Sequence, residues 1–321
     1  MSFLRIPFFD AIADAKTVLI AGAGGGYDIF SGLPLYIGLR NAGKTVHLAN
    51  LSFSQLYGSD GKRHGEALVE VTHKTEGSHR YFPEAHLARW FHAERGEDVS
   101  IFGIDRVGAR PVAAAYKNLV AHLGGVDAII LMDGGTDSLM RGDEVGLGTP
   151  EEDMVSINAV DKLEEVATKL LLCVGFGVDT FHGVCHSQFL EAVADITRAG
   201  GYLGAWSLTR EMPEVAAYES AVEWTHRAMF NNPSIVCSSI VSAIEGQFGN
   251  HHATDRTRGN ELFINPLMSL YWAFQLEQVA RRCLYLDEIQ NTETWWDTTS
   301  AIAAYRARTA NSHKEWQHLP M

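Results

Sequence analysis

Between Leu131 and Met154 the chain reads LMDGGTDSLMRGDEVGLGTPEEDM, with seven carboxylates and five glycines directly behind an apolar run. Carboxylates gathered in so short a loop repel one another, so solvent, Arg141, backbone N–H donors or a divalent cation must offset their charge. Part of the acid has an ordinary explanation. Thr149 as N-cap, Pro150 at the first helical position and Glu152 as capping-box partner open a helix, and Glu151, Glu152 and Asp153 then lie where a helix dipole favours negative charge. Asp133, Asp137, Asp143 and Glu144 remain. The turn from Asp133 through Gly134, Gly135 and Thr136 to Asp137 brings two oxygen ligands to one point while its glycines let the chain fold tightly. That suits a hard cation such as Mg or Ca, with Asp133, Asp137, Asp143 and Glu144 as its ligands. The alternative is that these acids accept hydrogen bonds from backbone N–H groups and only shape the loop.

Two further glycine loops carry reactive side chains. AGAGGGYD, Ala21 to Asp28, lies where a strand hands over to a helix, and glycines there let backbone N–H groups approach a phosphate. The dinucleotide fingerprint is incomplete: Gly22 and Gly24 fit its first two glycines, Tyr27 stands at the third, and the second strand ends in Asn50 where a nicotinamide enzyme places an acid on the ribose. A phosphate or mononucleotide site, a nicotinamide site and a plain tight turn all remain open. The third loop, GFGVDTFHGVCHSQF, offers Asp179, His182, Cys185 and His186. His182 and His186 share one face if the segment is helical, which suits metal binding or proton transfer. Cys185 admits a thiol nucleophile.

The loops need elements to hold them. Apolar runs from Thr17, Thr45, Asp98, Val126 and Ala167 each end at glycines or polar residues, and segments with helical spacing follow, among them 29–41, 111–123 and 182–198. This alternation predicts a Rossmann-like three-layer α/β fold with a mostly parallel sheet, as one domain over 1–321. Pro83 opens a helix in YFPEAHLARWFHAE, where Glu84 reads as first-turn charge. The polar stretch 57–79 reads as a loop or hairpin over the sheet. From 211 onward, three segments read as long amphipathic helices, NPLMSLYWAFQLEQVARRCLYLDEIQ among them, so a largely helical final third is expected to pack on the sheet. The polar loop 245–260 has the length of a lid, and Arg256 or Arg258 in it suits a phosphate or carboxylate.

A net charge of −13 with no run of Lys or Arg argues against nucleic acid or an anionic membrane as partner. No apolar run approaches the ~20 residues of a spanning helix, and no signal-peptide order is visible. The four cysteines make no CxxC pair, so a reducing cytoplasm is the expected home. Trp295 and Trp296 offer a surface for a homo-oligomer, or close over the core.

The blocks AGAGGGYDIFSGLPL, YFPE, DAIILMDGGTDSLMRGDEVGLGTPEED, LLCVGFGVD, EGQFG and NPLMSLYWAF resemble the prokaryotic family known as domain of unknown function 1152, over nearly the whole chain. The resemblance implies an α/β protein and no catalytic assignment. By analogy, the Asp-rich loop also resembles the cation-binding loop of nucleoside hydrolases. The expected function is hydrolysis or group transfer on a phosphorylated or nucleoside-like small molecule. Asp133, Asp137, Asp179, His182 and His186 are the catalytic candidates. Gly22, Gly24, Gly25, Gly26, Tyr27, Asp28, Asn50, Gly134, Gly135, Thr136 and Arg256 are the ligand-binding ones. A nucleotide sensor without activity is the alternative, and a nicotinamide oxidoreductase a third. The common expectation is that the turns after Ile20, Met132 and Val174 meet around one cavity.

Overall fold

In the segment Thr17–Gly22, Val18 and Ile20 face one side, Leu19 and Ala21 face the other, and all four are buried. A strand that is apolar on both faces belongs inside a parallel sheet covered by helices on both sides. The computed structural model, which describes residues 4–78 and 80–319, has that architecture.

Along the chain, α1 (Pro7–Ala11) leads to β1 (Thr17–Gly22), and α2 (Asp28–Ser31) and α3 (Leu33–Asn41) return to β2 (Thr45–Ser52). The hairpin β3 (Lys62–Arg63) and β4 (Leu68–Val71) precedes α4 (Pro83–Trp90) and β5 (Ile101–Asp105). Then α5 (Ala109–His122), β6 (Ala128–Asp133), α6 (Pro150–Asp161), β7 (Thr168–Cys173), α7 (His186–Arg198) and β8 (Tyr202–Ser207) alternate. Two helices, α8 (Pro213–Ala228) and α9 (Ile235–Ile244), and a small ribbon of β9 (Gly249–Asn250) and β10 (Phe263–Ile264) come next. After them lie β11 (Leu270–Gln275), α10 (Leu276–Arg282), α11 (Leu286–Ile289) and α12 (Trp295–Arg308).

The nine-stranded sheet has the order β3-β4-β5-β2-β1-β6-β7-β11-β8. Its central run from β5 to β7 is parallel, and β4 and β11 are antiparallel to their neighbours. One face packs on Val112, Met154, Phe189, Val279 and Ile302, from α5, α6, α7, α10 and α12. The other packs on Leu33, Leu87, Val215 and Ile240, from α3, α4, α8 and α9. The crossover from β1 runs toward β2, whereas β6 lies on the opposite side of β1 and continues to β7. Strand order therefore reverses between β1 and β6, the place where a doubly wound sheet opens a crevice at its carboxyl edge.

Three sequence expectations need correction. The helix expected over 29–41 is broken at Gly32, where a side chain would meet Ile20 and Met132, and Pro34 lies in the first turn of the second piece. The stretch 57–79 extends the sheet in its own plane through β3 and β4 instead of lying over it; its last residue, His79, lies outside the described residues. The supposed long helix from Asn265 is a 3-10 turn, then β11, then two short helices. Alternation along LYWAF, with Tyr271 and Ala273 on one face and Trp272 and Phe274 on the other, fits a buried strand, and tertiary pairing with β7 decided it. The missed strand β8 is its outer partner.

Candidate functional site

The loops following β1, β6 and β7 surround one cavity of about 500 Å³. Its wall includes Gly24, Gly25, Gly26, Tyr27 and Asp28 from the first loop, Asp133, Gly134 and Asp137 from the second, and Asp179 and His182 from the third. The expected convergence therefore holds. The start of α6 adds Glu152 and Asp153, the α8–α9 junction adds Asn232 and Ser234, and Arg256 lies at the rim.

Four of the cavity's carboxylates are held by short polar links. Asp133, at the carboxyl end of β6, accepts at Oδ2 from the Ser138 hydroxyl (2.5 Å) and N–H (3.2 Å). Asp28, at the start of α2, accepts at Oδ2 from the Gly24 N–H at 2.7 Å. Asp179 accepts at Oδ2 from the Thr136 N–H (2.6 Å) and hydroxyl (3.2 Å), which ties the β7 loop to the β6 loop. Asp137 accepts at Oδ2 from the Thr149 N–H (2.7 Å) and hydroxyl (3.0 Å). Thr149 is indeed the residue before α6, but it serves Asp137 and makes no side-chain cap bond.

Asp28, Asp133 and Asp153 each offer one carboxylate oxygen, and these oxygens lie within 4.8 Å of one another. Asp153 is 1% exposed and its Oδ1 has no hydrogen-bond partner. Burial, and then the neighbouring negative charges, push the carboxyls of Asp28, Asp133, Asp153 and Asp179 well above the usual carboxylate range. Burial and the Asp137 charge push Glu152 up to about 8. An all-oxygen cluster that is short of cationic partners fits a hard divalent ion. Another part of the wall is aromatic, with Phe53, Tyr27 and Tyr81 beside the glycine turn. Tight packing fixes that turn: a side chain on Gly25 would strike the Phe53 ring at 2.5 Å, and one on Gly24 would strike Asp153 Oδ1 at 2.6 Å.

A family model described as a protein of unknown function, DUF1152, matches residues 51–313. The chain belongs to the DUF1152 family. No curated protein and no solved structure matches it. In this DUF1152 protein the matched span carries Asp133, Asp137, Asp153, Asp179, His182 and Arg256, whereas the Gly24–Asp28 turn precedes it.

The DUF1152 fold separates several residues that the sequence had grouped. Asp143 and Glu144 do not reach the cavity. Asp143 pairs with Arg141 at 3.2 Å and Lys314 at 3.6 Å, and fully buried Glu144 accepts from the N–H groups of Arg141 and Gly142 and faces Arg282. Gly22 is the last residue of β1, and a side chain there would collide with Asn50 Oδ1. Asn50 is buried behind the turn, where it donates to the Gly26 carbonyl at 3.1 Å and to Glu84 at 2.8 Å. Glu84 is thus an internal support that also accepts from Ser54. Gly135 and Thr136 back the acids without lining the cavity.

His182 and His186 do not share a helix face. His182 ends a 3-10 turn, Gly183 follows with φ 84°, and His186 is the first residue of α7, with its ring 5.1 Å from that of Phe176. Cys185 is buried beneath the segment that contains Gln317, to whose carbonyl its Sγ donates at 3.0 Å. Arg256 donates to the Pro233 carbonyl at 2.8 Å, and Arg258 pairs with Asp255 in solvent. Trp295 stacks under Arg106, and Trp296 is 75% exposed. No helix of the described residues is long and apolar enough to cross a membrane.

Asp153 and Glu152 were assigned to dipole compensation and instead face the cavity. One signal lies in the sequence: the segment MVSINAV that follows Asp153 carries no charge, and α6 is buried throughout 153–160, where a carboxylate needs a partner.

Proposed function

We propose that the protein is a divalent-cation-dependent hydrolase of nucleoside-like molecules, cleaving the bond between a sugar carbon and a planar base. The observation that carries this reading is the Asp28–Asp133–Asp153 cluster at the junction of β1, β6 and α6, with a buried, unpartnered oxygen on Asp153. A cation held there would neutralise the acids and orient sugar hydroxyls and water. The floor presents acceptors, so a bound molecule must bring donors. Vicinal hydroxyls do so, whereas a phosphate brings only acceptors and more negative charge. Tyr27, Phe53 and Tyr81 supply flat apolar area for a base.

In the reaction, Asp137 takes a proton from water as its oxygen bonds to the anomeric carbon. The carbon–nitrogen bond breaks, its electron pair passes to the base, and His182 at the mouth delivers a proton to the departing nitrogen. General acid and base groups of this kind are each worth ~100 to 10,000-fold.

A phosphorylated substrate is the second reading, favoured by Arg256 at the rim and by the glycine turn. One panel separates the two: nucleosides and phosphomonoesters, each with Mg, Ca or a chelator, followed by base release and by phosphate release. Cation-dependent base release supports the first reading, and phosphate release supports the second. If the protein binds a nucleoside or nucleotide tightly yet turns over neither class, it is a sensor.

A further inference from the structure

A second group of ligand-type side chains lies away from the carboxylate cavity, at the edge of the sheet where β3 and β4 form a hairpin. His64, in the turn of the β3–β4 hairpin, Glu70 on β4 and His122 at the end of α5 each offer one ligand atom, and these atoms lie within 4.8 Å of one another. His64 Nε2 is 2.8 Å from Glu70 Oε2, and the two side chains are only 9% and 22% exposed. The His64 and His122 rings are 3.9 Å apart, centroid to centroid, and both pack edge-on against Phe102. The other carboxylate oxygen, Glu70 Oε1, accepts from the Ser100 hydroxyl at 2.7 Å.

We propose that His64, Glu70 and His122 form a transition-metal site, with zinc as its natural occupant, that pins the edge hairpin to the end of α5. Four features support it. The donors are two imidazoles and one carboxylate, a set suited to zinc and its neighbours, whereas the all-oxygen cluster suits Mg or Ca. Tetrahedral zinc with bonds of about 2 Å holds its ligands roughly 3.3 Å apart, and the three ligand atoms already lie within 4.8 Å of one another. Ser100 fixes the orientation of Glu70, as outer-sphere partners of zinc ligands do. The ligands come from three separate places, so one ion joins the turn of the edge hairpin, the strand β4 and a helix end.

Binding would release to solvent the proton shared between His64 and Glu70, and would leave a fourth position for water. A structural clamp is the role that this placement supports, because none of the three residues lines the carboxylate cavity.

The test is a zinc titration of the chelator-treated, full-length protein in excess Mg, read by competition with a chromophoric chelator and by the visible absorption of a cobalt-loaded sample. The expected result is one tight zinc per chain and a zinc-dependent rise in Tm. His122→Ala, at an exposed position, should weaken zinc binding by about 100-fold or more, and Ser100→Ala by roughly 10-fold. Asp153→Asn should leave zinc binding unchanged, which separates this site from the hydrolase reading. The proposal is overturned if folded wild-type protein binds no zinc, or if His64→Ala and His122→Ala bind it as well as wild type. Loss of zinc on His73→Ala would also overturn it, by moving the metal to the neighbouring stacked pair His73 and His92 beside Asp98.

Discussion

Replacing Asp153 with asparagine keeps the shape of the side chain and removes its charge, and the cluster geometry predicts opposite effects without and with cation. At 4.8 Å, the upper limit of the spacing here, two ionised carboxylates repel by about 3.5 kcal/mol at an effective dielectric near 20. Asp153 faces two such neighbours, Asp28 and Asp133. The raised proton affinities let the cluster escape part of that repulsion by protonation, so relief of one pair, about 3 kcal/mol, is the reasonable expectation at pH 8. For a chain of this size that is roughly 6 °C in Tm, from about 2 °C per kcal/mol. The metal-free variant should therefore melt higher than metal-free wild type. In Ca or Mg at 100 times its Kd, wild type should gain about 2.7 kcal/mol while the variant gains little. Scanning calorimetry at pH 8, with chelator and with each cation, measures both. If Asp153→Asn melts lower in chelator and keeps the wild-type response to cation, the acids are not a frustrated cation site and the reasoning fails.

Three other outcomes follow from the same geometry. Because the folded-state affinities of Asp28, Asp133, Asp153, Asp179 and Glu152 are raised, the native state binds more protons than the unfolded chain above the usual carboxylate range. Metal-free stability should then fall as pH rises from about 4 through about 8, and saturating cation should flatten that slope; a metal-free Tm that climbs over this interval would contradict it. Gly24→Ala drives a methyl to 2.6 Å from Asp153 Oδ1 and 2.9 Å from Asp28 Oδ2, so calorimetric cation binding should be lost with an unchanged circular dichroism spectrum. His182→Ala should lower kcat on nucleosides with poor leaving groups by ~100-fold or more and change KM little, and an equal loss on activated leaving groups would argue against its role as proton donor.

Much of the fold was legible because each central strand carries its own evidence. Runs such as VLIAG and AIILM are apolar on both faces and lead into glycine turns, so the parallel order follows from local pattern. β11 was not legible: Leu270–Gln275 lies within a stretch of helical composition, and only its pairing with β7 and β8 makes it a strand. At the site, Asp133, Asp137 and Asp179 stood out because acids at strand ends next to glycines are visible in sequence. Asp143 and Glu144 looked equivalent to them, yet Arg141, Lys314 and Arg282 neutralise them, and two of these partners come from far along the chain. Asp153 was masked by a sound local rule, since an acid in a first helical turn is favourable anyway.

The insertion of β11 between β7 and β8 bears on how the molecule assembles. β7 closes one wall of the crevice, yet its outer neighbour β11 starts only at Leu270, after α7, β8, α8, α9 and the ribbon. Contacts across so long a stretch of chain form late, because the entropy of closing the loop comes before the pairing that rewards it. The expectation is that β7 and β8 pair with β11 after the parallel centre of the sheet has formed, which pulsed hydrogen exchange would show as late protection of β11.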